Sequence, residues 1–389
     1  MHFRILTLND LSPRGLERLP RERYEVAGQL ERPHAVLVRS ADMHSLKLPA
    51  TVRAVARAGA SVENIPVAEL SRRGIPVFNA PGANANAVKE LVLASLFLAA
   101  RNICQAWDFA RGLGGDDCAI EAQVREGRGR YAGFELAGRT LGVVGLGAVG
   151  VEVANAAEAL GMRVLGYDPQ ITVQRAWQLS SGVEQALSLD DLFARSDIVT
   201  VHVPLNEQTR GLVGEYRVRL LQKGAVLLNF SRAGIVDDPA VVAALDAGWL
   251  HAYVCDFPSN LLKGHPKVVT LPHLGALTGE AVDNCAIMAA DQLRDFLENG
   301  NIRNSVNFPE AQLARQAGSA RVAVANLNVP NMVGQISTHL AGAGLNIAGL
   351  LNASRGEYAY TLLDLEGTLR PEVLDAVRAI RGVLCAHLI

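Results

Sequence analysis

The sequence predicts an α/β protein: two doubly wound parallel sheets, followed at the carboxyl end by a small βαββαβ unit. Three observations carry this. The stretch 139–168, RTLGVVGLGAVGVEVANAAEALGMRVLGYD, reads strand, glycine turn, helix, strand, acid. Short apolar strands alternate with helical segments over 1–90 and again over 136–276, the pattern of βαβ crossovers. The last seventy residues, 320–389, run strand, helix, strand, strand, helix, strand.

The first region begins with an apolar strand at 3–8, and further short strands are expected at 35–39, 52–56 and 76–78. The amino terminus shows no signal-peptide anatomy. Residues 79–90, NAPGANANAVKE, are rich in Asn, Gly and Pro and predict a loop. They lead into a long helix over 87–111, whose apolar run is too short to span a bilayer. The polar, Gly- and Arg-rich stretch 112–133 then reads as an excursion, either onto a second subunit or over the surface.

The glycine turn is the most specific signal. Leu141, Val143 and Val144 form a buried strand, and Gly145, Gly147 and Gly150 follow as G-x-G-x-x-G. The first glycine makes the tight turn, the second admits a pyrophosphate to the backbone, and the third lets the helix approach the strand. Ala148 and Val149 open that helix, whose free N–H groups favour phosphate. A second strand ends in Asp168, eighteen residues after the last glycine, where it can accept from both hydroxyls of an adenosine ribose. A carboxylate there disfavours a ribose phosphate, so the cofactor read from this Rossmann-like segment is NAD.

Further strands fit 198–201, 225–229, 253–255 and 268–270, and a final helix fits 279–298. That helix can cross back to the first region and leave it discontinuous in sequence. The polar linker NGNIRNSVN precedes the ferredoxin-like unit, whose strands are expected at 321–325, 347–352, 359–364 and 383–388. A unit this small usually needs partners to finish its burial, so pairing across subunits is expected. Charged residues make up 20% and the net charge is −2, which gives no reason to expect nucleic acid or a membrane as partner. The five cysteines are scattered without C-x-x-C spacing, so a reducing, cytoplasmic setting is expected and no metal is called for.

Four separated motifs now line up: the fingerprint, VTVHVPLNEQTRGLV at 199–213, LLNFSRAGIVDD at 227–238 and VVTLPHLGALT at 268–278. Together they resemble the D-isomer-specific 2-hydroxyacid dehydrogenases over roughly the first three hundred residues. The resemblance implies a substrate-binding domain at 1–90 completed by the helix region 279–305, an NAD-binding domain at 91–278, and a phosphorylated 2-hydroxy acid as substrate. It implies Arg232 as the carboxylate clamp and His273 as acid/base. Where the family carries a Glu that pairs with this His, the sequence has Phe257-Pro258-Ser259-Asn260. An amide can orient the ring but supplies no charge to an imidazolium, and Asp256 or Glu280 could fold in instead.

The same resemblance implies Val203 and Pro204 as an adenine ledge and Thr209 as a contact near the phosphates. Phe230 and Ser231 fall beside the nicotinamide, Asp256 on its carboxamide, and Gly275 and Ala276 close to the ring. Asn84, Ala85 and Asn86 fall on the substrate loop. Phosphate cations are sought among Arg39, Arg53, Arg72 and Arg73, with Arg39 and Arg53 favoured. Residues 320–389 resemble the ACT domains, with Asn328 and Asn346 matching ligand positions and Asn331 replacing a glycine. An amino-acid effector such as serine, or a dimerisation role without ligand, follows from that likeness. A homodimer or homotetramer is expected. The alternatives are another D-2-hydroxyacid or erythronate-4-phosphate dehydrogenase, and an NADH-sensing corepressor-type protein, against which Arg232 and His273 weigh.

Overall fold

The computed structural model describes residues 2–316 and 318–389; Met1, counted in the first domain above, and Ala317 lie outside them. The chain divides into two compact units, one of 1–84 with 279–389 and one of 85–278.

The first unit holds two sheets. Strands β1 (Phe3–Leu8), β2 (Tyr24–Ala27), β3 (Ala35–Val38), β4 (Ala54–Arg57) and β5 (Val77–Phe78) pair in parallel in the order β2-β1-β3-β4-β5. β2 went unseen in the sequence because it is a four-residue edge strand, with a single buried position and none of the apolar continuity of β3. The helix Gly279–Asn299 covers one face of this sheet, setting Ala286, Ala289, Ala290, Leu293 and Phe296 against Ile5, Leu37, Ala56 and Phe78. The helix therefore completes a core begun nearly three hundred residues earlier.

In the second unit, β6 (Thr140–Val144), β7 (Arg163–Tyr167), β8 (Glu184–Gln185), β9 (Ile198–Val201), β10 (Ala225–Asn229), β11 (Leu250–Cys255) and β12 (Val268–Thr270) form one parallel sheet, ordered β12-β11-β10-β9-β6-β7-β8. The order reverses between β6 and β9, and open α/β sheets bind ligands at such a switch point. The expected helix 87–111 is a correction. It is two helices, Ala85–Ala100 and Ile103–Arg111, broken where Asn102 takes a left-handed conformation at φ 50°. Residues 112–133 are not a plain loop: they contain the helix Asp117–Gly127, capped by Asp116 accepting from the Ala119 N–H at 2.9 Å.

The last seventy residues form an antiparallel sheet of β13 (Ala320–Leu327), β14 (Asn346–Arg355), β15 (Tyr358–Glu366) and β16 (Val383–Leu388), ordered β14-β15-β13-β16. Alternation along β13 divides its burial. Val322 and Val324 join Ile336, Leu340 and Val377 beneath the two helices, while Ala323 and Ala325 enter the same cluster as Phe78, Phe296 and Phe308. One face of the small sheet is thus covered within its own chain, where a second subunit was expected. Arg321, fully buried, fixes the arrangement: its Nε and Nη2 meet both Asp364 oxygens at 2.7 Å, and its Nη1 donates to the Asn299 and Leu313 carbonyls.

Candidate active site

The dinucleotide cradle is built from backbone. Gly145 leaves β6 at φ 90°, and a side chain there would strike the His202 carbonyl, 2.6 Å from its Cβ position. A Cβ on Gly150 would lie 1.9 Å from the Gly145 carbonyl, so the helix comes this close to the strand end only because residue 150 is glycine. Gly147 differs. Its Cβ position meets nothing within 4 Å, so it faces open space and leaves room for a phosphate. Gly147 caps the helix Ala148–Ala159 in an extended conformation without a side-chain bond, leaving the first N–H groups aimed outward. Ala148 and Val149 are half-buried behind it. Asp168 is pre-aimed, its Oδ2 accepting from Leu146 N–H at 2.9 Å and its Oδ1 from Gln170 N–H at 2.8 Å. These residues fit an NAD whose ribose meets the acid and whose pyrophosphate meets the helix.

Around the switch point, Val203 is half-buried and Pro204 exposed, an apolar ledge beside Gly145. Thr209 departs from expectation. Its hydroxyl donates to the Pro204 carbonyl at 2.5 Å and accepts from Asn206 N–H at 2.8 Å, so it closes its own turn. Ser231 likewise spends its hydroxyl on the Val201 carbonyl at 2.7 Å, and Phe230 is buried.

The carboxyl ends of β10, β11 and β12 are tied in a row. Asp256 N–H donates to the Asn229 carbonyl, and His273 N–H donates to the Asp256 carbonyl, each at 3.2 Å. Asn229 Nδ2 also holds the Arg232 carbonyl at 3.0 Å, and Arg232 Nη1 donates to the Ser231 carbonyl at 2.7 Å. The Asp256 side chain, 1% exposed, accepts from the Leu274 and Gly275 N–H groups at 2.7 Å each. Asp256 thus grips the turn that carries His273, whose own φ is 58°, a left-handed conformation uncommon for a non-glycine residue. Gly275 is buried against that carboxylate, and Ala276 is exposed just beyond.

The ring of His273 is exposed and meets Phe257 edge-on with centroids 5.3 Å apart. The expected pairing with Asn260 is not present. Asn260 is exposed on the turn after Ser259, and among the described residues no hydrogen bond joins it to the ring. Asp256 does not replace it, because its oxygens face the 274–275 backbone. Burial pushes Cys255 up to about 11, which leaves it an inert thiol beneath the site.

In the first unit, Arg39 follows β3 at the carboxyl edge, as expected of a ligand-facing cation. Arg53 is a correction: it precedes β4 and so lies at the opposite, amino-terminal edge. The residue at the carboxyl edge of β4 is Arg57, because the strand runs one residue beyond the expected 52–56. Its Nε donates to the Arg39 carbonyl at 3.0 Å, its Nη1 to Ser61 Oγ at 2.7 Å, and its guanidinium lies over Gly59. Burial raises the Cys285 thiol while the charges of Arg39 and Arg57 pull it back, so both guanidiniums act on one point of the helix Gly279–Asn299. Arg73 is held by the Leu48 and Pro49 carbonyls at 3.1 Å, and Arg72 is exposed.

Asn84 is half-buried and Ala85 buried; Asn86 is exposed in the first turn of its helix, its amide engaged by Glu90 and Lys89. In the small sheet, Asn328 donates to the Gly356 carbonyl at 3.0 Å and Asn346 to Glu366 at 2.8 Å. The register sets them at opposite ends of β15, so one chain does not bring them together. Asn331 holds a left-handed turn at φ 65° in place of a glycine.

A family model described as D-isomer specific 2-hydroxyacid dehydrogenase, NAD binding domain, matches residues 97–275. D-3-phosphoglycerate dehydrogenase of Archaeoglobus fulgidus is 36% identical over 303 residues, covering 75% of this chain and 54% of that protein. The protein of the same name from Haemophilus influenzae is 30% identical over 331 residues, covering 82% and 76%. The NAD+-bound 3-phosphoglycerate dehydrogenase of Entamoeba histolytica superimposes with a TM-score of 0.61 at 25% identity, over 79% of this chain and 99% of that one. The chain belongs to the D-isomer specific 2-hydroxyacid dehydrogenase family and carries its NAD-binding domain. It spans about half to two thirds of the length of the first curated relatives it matches, 54%, 63% and 59% for three of them.

Proposed function

We propose that this protein oxidises D-3-phosphoglycerate at its C2 hydroxyl to 3-phosphohydroxypyruvate, with NAD as acceptor, as the first step of serine biosynthesis. The observation that carries this reading is the row of tied strand ends that sets Arg232 and His273 on one carboxyl edge, in the same sheet as the glycine cradle and Asp168. The names of its relatives support the choice of substrate. The chemistry the dinucleotide supplies when bound is hydride acceptance at its nicotinamide. The planar fork of Arg232 suits the substrate carboxylate. His273 takes the hydroxyl proton, and help of this kind is worth about 10²–10⁴-fold. Because Asn260 supplies no carboxylate, the ring works against Phe257 with its backbone held by Asp256. Phosphate recognition is assigned to Arg39 and Arg57 at the carboxyl edge of the first unit's own sheet.

NADH formation with D-3-phosphoglycerate, set beside D-lactate and D-2-hydroxyglutarate, tests this directly. The phosphorylated acid is expected to give the highest kcat/KM, and a higher value for either other acid overturns the assignment. Asn328 and Asn346 lie at opposite ends of their sheet, so an amino-acid effector such as serine would need two copies of the chain to contact both.

A further inference from the structure

Arg53 takes no part in the proposed reaction. It stands just before β4, where its N–H donates to the His34 carbonyl at 2.8 Å. Its guanidinium is half-buried, yet among the described residues it has neither a hydrogen-bond nor an ion-pair partner. Holding a cation partly out of water without an anion is costly. The small sheet docks at this same edge. Cys385 Sγ donates to the Gly74 carbonyl at 3.2 Å, and Leu384 Cβ lies 3.0 Å from the Cβ position of Gly74.

The alternation of β16 buries Ala386 beneath the helices and turns Cys385 and His387 to the other face. Arg378 reaches the unpaired edge of β16, its Nε donating to the Ala386 carbonyl at 2.9 Å. Asp375 engages one Arg378 nitrogen at 2.8 Å in an exposed pair. His34 accepts Arg4 N–H on Nδ1 at 2.9 Å, which leaves its Nε2 as a donor. Burial holds both rings neutral: His34 is lowered, and His387 falls to about 3 with Arg53 and Arg378 adding to the effect. The charges acting on Arg53, His34 and His387 are other arginines, Arg4 and Arg32 included, together with Cys385, and no carboxylate is among them.

We propose that Arg53, Arg378, His34 and His387 form a phosphate-binding site where the amino-terminal edge of the first sheet meets β16. Two guanidiniums and two neutral ring N–H groups suit an oxyanion carrying several acceptor oxygens and close to two charges. Occupied, the site joins the small sheet to the sheet below it and relieves the repulsion between Arg53 and Arg378. It is separate from the carboxyl edge where Arg39 and Arg57 stand, and it does not depend on the assigned substrate.

Calorimetric titration of the full chain with inorganic phosphate, at ionic strength fixed with sodium chloride, tests the site. Arg57→Gln serves as the background so that the carboxyl edge is silenced. Saturable phosphate binding is expected there, weakened at least tenfold by added Arg53→Gln and by added Arg378→Gln. Without phosphate, Arg53→Gln is expected to melt no lower than its parent, since an unpaired cation has been removed. A background that binds no phosphate, or that binds it equally after both substitutions, overturns the proposal. Should Arg53→Gln fail to fold, the exposed Arg378→Gln decides alone. D-3-phosphoglycerate titrated in parallel separates the sources: loss of its binding in Arg53→Gln assigns the site to phosphomonoesters, whereas inorganic phosphate binding alone assigns it to the free ion.

Discussion

Asp256 is the residue on which the proposed catalytic edge turns. Among the described residues its carboxylate has no side-chain partner; it collects two backbone N–H groups from the turn beyond His273 and so fixes a left-handed residue that would otherwise relax. Asp256→Asn keeps the size but presents an NH₂ to one of those N–H groups. We expect kcat to fall about 10²-fold, the scale of lost acid–base catalysis, with the Kd for NADH changed less than tenfold. Steady-state kinetics and a fluorescence titration of NADH measure the two, and unchanged kcat would remove Asp256 from the positioning role. Arg57→Gln tests the other unit: KM for D-3-phosphoglycerate should rise at least tenfold, corresponding to about 1.4 kcal/mol, with kcat within threefold. Equal KM values would return phosphate recognition to another residue. Arg57 was hidden by a one-residue error at a strand end, which is enough to move a side chain out of consideration. Arg53 was misplaced for the complementary reason: an arginine next to a strand does not say which end of the strand it occupies.

The elements that were legible are those whose burial leaves a continuous apolar run. β6, β9 and β10 fall where the sequence predicts, because strands covered on both faces read as near-continuous apolar runs. β2 and β8 sit at sheet edges, with two to four residues and little burial, and nothing in their composition distinguishes them from turns. The break at Asn102 was equally silent, since Asn is tolerated within helices as well as in left-handed turns. Arg321 and Asp364 are the clearest case of structure outrunning pattern: a charged residue inside a strand reads as solvent-facing, yet both are buried. Arg321→Met should cost about 3–5 kcal/mol in urea unfolding, because Asp364 is left buried and uncompensated. Adding Asp364→Leu should recover most of that loss. A single substitution costing less than about 1 kcal/mol would mean the carboxylate finds water instead.

For the whole molecule, acid is the condition to which the fold is least suited. Each unit holds a histidine that burial keeps neutral, His202 lowered to about 4 in the second unit and His387 lowered to about 3 in the first. An unfolded chain protonates these rings near pH 6.5, the folded chain only near pH 4 and pH 3, so between those limits the unfolded state binds more protons. Stability is therefore full above pH 6.5 and declines as the pH falls toward 4, flattening for each ring only below its folded value. Asp364 acts in the same direction at lower pH. Burial alone would raise it, but the bonds and charge of Arg321 hold it low, and its contribution is lost as it protonates. Melting curves from pH 8 to pH 4 should show Tm falling steadily below pH 6.5. His387→Gln should reduce that slope, since glutamine keeps a polar donor without titrating. If the variant and the parent lose Tm in parallel across this range, the half-buried His387 is not a source of the acid sensitivity.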